Sequence, residues 1–277
     1  MSRFVAMACT LLPALALAGG GPGLGDVMRA RSYAMGGAFR ALGGGTEVVE
    51  GNPAAMGVHR RYLIELSGAW DPRNPFGFGS LSIMDSATSP MAAGLSYNLV
   101  SLGTGPTQHT AHVNTAAFSI PFANVLHLGA SLRHVLMTGS RSANAMTGDA
   151  GLLLNLGGVV FSFSGHNLID IHNPDFFRYY AIGGGFVGQS FSLGADVKAD
   201  FNGPTPRYAL GIGGEYVFGD TVPIRAGYSH DGWRNARVIT GGAGIRIDGS
   251  AFELAYQHEL GGAFSRLLAL TLRMQVQ

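Results

Sequence analysis

The chain is nearly free of cysteine. Its single one, Cys9, falls in an N-terminal stretch with the marks of a removable signal, so disulfides and thiol chemistry are excluded from the rest. Charge is scarce too. Asp, Glu, Lys and Arg make up 13% of 277 residues, about half the usual share. The net charge of +1 offers no basic surface for a nucleic acid. Beyond the N-terminal stretch no apolar run reaches the roughly 18 residues that a membrane-spanning helix needs. The signatures H-E-x-x-H, C-x-x-C, G-x-S-x-G and Walker A are all missing. The nine His are scattered. His109-Thr110-Ala111-His112 is too sparse for a metal site, so no metal and no cofactor is expected.

What is present is glycine, 43 residues of 277, and an apolar share of 47%. Scarce charge with a positive mean hydropathy suits a membrane. A chain of that kind without apolar helices has one spanning solution. That solution is a closed β-barrel, in which every backbone N–H and C=O is paired. Residues 1–18 read as a secretory signal: Arg3 gives the positive start, 4–17 the apolar stretch and Ala16-Leu17-Ala18 the cleavage site. Cys9 comes too early in that stretch for a lipoprotein signal.

Residues 29–57 are the one long part of the remainder that does not read as strands. Ala30, Tyr33, Ala34 and Ala38 have a loose helical spacing that Gly36-Gly37 interrupts. Gly43-Gly44-Gly45 then stops it. Asn52 before Pro53 reads as a helix N-cap, with Pro53-Ala54-Ala55-Met56 as one short helical turn. This piece cannot bury itself alone, so the rest of the chain is expected to enclose it.

From Tyr62 onward the pattern has period two. Tyr62, Ile64, Leu66 and Trp70 alternate with Glu65, Ser67 and Ala69. Phe191, Leu193, Ala195, Val197 and Ala199 alternate with Ser192, Gly194, Asp196, Lys198 and Asp200. Successive strand side chains point to opposite faces, so each segment has an apolar face and a polar or small one. About fourteen such segments follow, near 62–70, 76–85, 91–100, 112–120, 126–137, 147–156, 159–167, 178–187, 190–200, 207–218, 222–230, 237–247, 251–259 and 264–277. Most have the length that a tilted strand needs to cross a bilayer. Connections after odd segments, such as 101–111, 138–146 and 168–177, are mostly longer. Those after even segments, such as Gly157-Gly158, are mostly tight. Segregated loop lengths are an outer-membrane pattern, and they place the tight turns and both termini in the periplasm.

With the apolar set outward, Tyr62, Trp70, Phe76, Tyr97, Tyr180, Phe186, Phe191, Phe201, Tyr208, Tyr216, Phe218, Tyr228 and Phe252 fall towards segment ends, like two aromatic girdles. The inward set then holds Glu65, Arg133, Asp149, Asp196, Lys198, Asp200, Glu215, Arg225, Arg246, Glu253 and Arg273. Their signs nearly balance. A salt-bridged lining fits that balance, while an ion-selective ring would show one dominant sign. In 76–83 the apolar phase shifts near Gly79-Ser80, which predicts a bulge or kink there.

Ala34-Met35-Gly36-Gly37-Ala38-Phe39 followed by Asn52-Pro53-Ala54 resembles the N-terminal hatch of FadL-type outer-membrane transporters and the related PorV-like proteins. The stretch Gly148-Asp149-Ala150-Gly151-Leu152-Leu153, running to Ser164-Gly165-His166-Asn167-Leu168, is similar to a strand pair of the PorV-like branch. The resemblance implies an all-β fold, a transmembrane antiparallel barrel of about fourteen strands with a hatch containing short helices. The implied division is 1–18 signal, 19–61 hatch and 62–277 barrel. The implied function is passive uptake of hydrophobic compounds such as long-chain fatty acids, gated by the hatch, in the bacterial outer membrane. The ligand would leave sideways through a kinked strand, and the phase break at Gly79 would suit such an exit. Tyr33, Met35, Phe39 and Met56 are candidates for an apolar ligand surface on the hatch, or else they pack against the wall. Implied partners are outer-membrane lipid and a hydrophobic small molecule. The alternative is a PorV-like barrel without transport, serving a secretion-machinery protein or surface attachment. A hydrolase at the rim would need a close Ser–His pair, which no spacing singles out, and the chain is not expected to be an enzyme.

Overall fold

The computed structural model describes residues 28–122, 125–261 and 264–276. The expected signal, 1–18 with Cys9, lies outside them. Fourteen strands run β1 (Tyr62–Asp71), β2 (Phe76–Asp85), β3 (Ala92–Leu102), β4 (His109–Phe122), β5 (Leu126–Gly139), β6 (Ala143–Leu156) and β7 (Val159–His166). They continue as β8 (Tyr179–Val187), β9 (Phe191–Asp200), β10 (Arg207–Phe218), β11 (Val222–Asp231), β12 (Ala236–Ile247), β13 (Ser250–Glu259) and β14 (Arg266–Val276). Each is antiparallel to its neighbours in sequence, and β1 pairs with β14, so the sheet closes.

The alternation sorts side chains as a barrel wall requires. On β9, Phe191, Leu193 and Val197 are exposed, while Ser192 and Asp196 are buried. On β14, Leu272 and Met274 are exposed, while Thr271 and Arg273 are buried. Large apolar side chains therefore cover the outside, which water would not tolerate on this scale but hydrocarbon would.

Three expectations need correction. Strand β2 has no bulge. Its register to β1 runs unbroken from Tyr62↔Asp85 to Asp71↔Phe76, and its register to β3 is equally continuous. What changes at Gly79-Ser80 is chemistry: Phe76 and Phe78 point inward above, and Leu81 and Ile83 point outward below. A sideways exit at Gly79 thus lacks the kink that suggested it. For the same reason Phe76 is buried inside and leaves the outer girdle. Finally, the loops are less segregated. The β5–β6 connection is only 140–142, because both strands run on past the alternating part. The turn 86–91 is as long as the loop 201–206. The longest connection, 167–178, does follow an odd strand.

Residues 28–58 run inside the cylinder. Helix α1 (Ala30–Ala34) ends where the glycines begin, because Gly36 and Gly37 adopt φ of +63° and +82°. Helix α2 (Val48–Gly51) follows, then a 3-10 helix (Pro53–Val58). Asn52 caps the latter, its side chain accepting from the Ala54 amide at 3.2 Å. Helices this short do not persist alone; the wall holds them. Inward glycines make the room: a Cβ at Gly227 would stand 2.5 Å from the Gly36 amide nitrogen, and one at Gly151 would overlap the side-chain oxygen Oδ1 of Asn52.

Candidate functional site

The interior holds apolar clusters and charged ones. One apolar cluster lies towards the longer loops: Phe76 and Phe78 of β2, Val113 of β4, Val135 and Met137 of β5, and Leu267 of β14. Phe176, from the loop 167–178, packs into the same cluster with Ile171 beside it. The N-terminal segment joins from the other end through Met28, Tyr33 and Phe39.

The inward charges form clusters of their own, several of them nearer the tight turns, and the N-terminal segment completes most of the pairing. Glu65 accepts from Arg273 and, at 3.0 Å, from the Thr46 amide. Glu215 accepts from Arg225 at 2.5 Å and Arg246 at 2.8 Å, and Arg31 lies 3.4 Å away. Glu253 accepts from Arg225 at 2.7 Å. A second cluster joins Asp196 to the Arg40 guanidinium at 3.3 Å, while the Phe39 and Arg40 amides also donate to it. A third joins Arg133 to Asp149 at 2.7 Å, with Asn167 between loop and wall. Arg29 and Glu50 form a pair at 3.4 Å within the N-terminal segment, and Asn98 of β3 donates to Glu50. Unpaired, such buried charges would be prohibitively costly; paired and hydrogen-bonded, they fix geometry more than they add stability.

The lining charges thus form separate clusters rather than one ring. Lys198 and Asp200 stand apart near the loop-side mouth. Lys198 lies 5.5 Å from the Trp233 ring, and Asp200 accepts from Asn202. The reading from sequence missed Arg29, Arg31, Arg40, Glu47 and Glu50, all in the enclosed segment. The near-balanced inward charges were the available signal, because residues facing a buried segment need partners on it. Of the four candidate ligand residues, Tyr33 and Phe39 reach the loop-side cluster. Met56 packs instead with Val49, Leu63 and Met84 in a separate apolar cluster, and Met35 is buried against the backbone at Gly213. Among the motif residues, the Ala34 carbonyl accepts from Thr240 at 2.7 Å, Phe39 binds Asp196 through its amide, and Asn52 also donates to the Arg40 carbonyl at 3.1 Å.

Burial shifts the ionisable groups at the base of the segment. His59 is lowered to about 4, first by burial and then by the nearby Arg61 and Arg31 guanidiniums. Arg61 is lowered to about 10, first by burial and then by Arg273 and Arg31. Burial, with Glu65 nearby, pushes the Glu47 carboxyl up.

A Ser–His–Asp arrangement does occur. Ser164 Oγ lies 2.8 Å from His166 Nε2, and His166 Nδ1 lies 3.8 Å from Asp149. All three are buried, and Asp149 is already engaged by Arg133, Ser131 and the Asn167 amide. The set is placed as wall structure, not as a nucleophile open to substrate. Among the described residues no cluster of His, Cys, Asp and Glu could hold a metal ion.

No known protein-family profile matches the sequence, and no curated protein matches it. Solved structures do. The toluene transporter TbuX of Ralstonia pickettii superposes with a TM-score of 0.71 at 12% identity, covering 92% of this chain and 99% of that one. The Pseudomonas putida toluene transporter TodX gives 0.69 at 15% identity, covering 90% and 97%. A FadL homologue of Pseudomonas aeruginosa gives 0.64 at 11% identity, covering 90% and 97%. The fold is that of the FadL-type transport channels.

Proposed function

We propose that this protein is a passive channel for small hydrophobic compounds in the bacterial outer membrane, with the N-terminal residues 19–61 as the hatch that gates it. The observation that carries this reading is the apolar lining of the loop-side interior, which packs onto Tyr33 and Phe39 of the enclosed segment. A water-filled pore has a polar lining, whereas an apolar one lowers the free energy of a hydrocarbon entering from water. The outward apolar face supports a position in lipid, and the shared fold with toluene transporters supports uptake over a secretion-partner role. Monoaromatic hydrocarbons and fatty-acid chains both fit such a lining.

The test is permeation into liposomes holding the purified protein. Toluene or a long-chain fatty acid should enter faster than into protein-free liposomes. No acceleration with either class rejects the reading.

A further inference from the structure

A second site lies at the opposite end of the lumen. Where the N-terminal segment meets the turn-side ends of the strands, there is a cavity of about 350 Å³, within the usual range for a small-molecule pocket. Its lining is two-sided. Arg31, Arg61, Arg246 and Arg273 form one part; Leu42, Val187, Val217 and Ala251 form another. Glu215 is the one carboxylate in the lining.

The charges around it do not cancel. Arg31, Arg246 and Arg273 each have a carboxylate partner among Glu47, Glu65, Glu215 and Glu253, and Arg225 shares two of these. Arg61 has none among the described residues; its Nη1 donates to the Gly44 carbonyl at 3.2 Å. A further donor, Arg246 Nε, is buried without an acceptor, while Arg273 Nη2 lies 3.8 Å from Glu253 Oε2, an ion pair longer than a hydrogen bond. Arg273 is 6% exposed. Each buried donor without an acceptor calls for an explanation, and a bound ion is one. Burial first, and the neighbouring guanidiniums second, lower His59 and Arg61 beside the cavity.

We propose that this cavity binds a small organic monocarboxylate, with its carboxylate held by Arg61, Arg246 and Arg273 and its apolar body against Leu42, Val187 and Val217. One surplus guanidinium matches one negative charge. Guanidinium groups match a carboxylate by paired N–H···O bonds. The apolar wall gives such a ligand a place for its hydrocarbon part, which a free inorganic anion would leave empty. The site does not depend on the transport reading, because it lies on the other side of the enclosed segment from the apolar lumen.

Calorimetric titration of the full protein in detergent tests it, with benzoate as the probe, benzyl alcohol as its neutral counterpart and inorganic phosphate as the free anion. Benzoate should bind saturably. Benzyl alcohol should bind about tenfold more weakly or worse, since a charge-assisted hydrogen bond is worth that much. Arg61→Gln should weaken benzoate about tenfold, while Arg60→Gln, an exposed neighbour, should leave it unchanged. If Arg61→Gln does not fold, Val217→Phe, which fills the apolar wall, should abolish binding instead. Equal binding of benzoate and benzyl alcohol overturns the proposal, as does tighter binding of phosphate or wild-type affinity in the folded variant. Toluene permeation is read separately. Failure of benzoate binding overturns this site alone, and failure of toluene permeation overturns the channel alone.

Discussion

Asn52 joins two turns of the enclosed segment to each other. Its side chain accepts from the Ala54 amide at 3.2 Å and donates to the Arg40 carbonyl at 3.1 Å, and it is fully buried. Asn52→Ala removes the cap and strands a buried carbonyl, so stability should fall by about 1–3 kcal/mol. The urea midpoint of the vesicle-folded protein measures this, and an unchanged midpoint contradicts it. His59 gives a prediction in pH. Its pKa falls from 6.5 to about 4 on folding. Between those values the unfolded chain holds the proton and the folded protein does not. Stability is therefore lost as the pH drops through that window. His59→Gln should lose less stability than the wild type over the same descent, as read by paired urea titrations. Equal losses would show that His59 does not contribute.

At the scale of elements, the enclosed segment and the wall are one design. Inward glycines lie where the Met35-Gly36 and Asn52-Pro53 backbones touch the wall, and nearby Arg–carboxylate pairs hold the segment in place. If this segment gates the channel, tethering it must stop transport. Ala41 and Gly183 offer the tether, since Cβ atoms there would stand 3.4 Å apart, close to the roughly 3.5–4.5 Å of a disulfide, once the Asp196 carboxylate and Ser162 hydroxyl, each 2.5 Å from the Gly183 Cβ position, turn aside. The double variant Ala41→Cys with Gly183→Cys should pass little toluene when oxidised and regain permeation on reduction. Equal permeation in both states would mean that the path bypasses the segment. Strand β2 shows a different lesson. Its phase break is a change in what the interior wants, apolar near the loops and polar near the turns, carried on an unbroken ladder.

For the whole molecule, the closed sheet divides an apolar outer face from the interior. Leu254, in the middle of β13, is half exposed on the outer face. Leu254→Arg should cost about 2–4 kcal/mol in lipid vesicles, the depth-dependent penalty for a cation near the bilayer midplane. On a water-facing surface the same change would cost under about 0.5 kcal/mol. A urea titration of the two proteins in vesicles separates the two cases, and a cost near zero contradicts a lipid-facing wall.

The sequence by itself determined the strands, their number and most of their bounds, because period-two alternation is a local property of an extended chain. It also determined which face carries charge on β1, β9 and β14, and that Asn52 caps a short helical turn. Only the tertiary structure decided that the interior near the loops is apolar. Alternation cannot tell lipid from an apolar lumen, so Phe76 and Phe78 read as a bulge when they are a lining. Nor could the sequence assign Arg31 and Arg40 to Glu215 and Asp196, which lie more than a hundred residues away. Pairing across a closed barrel is set by where the whole sheet brings each strand, and no local pattern encodes that distance.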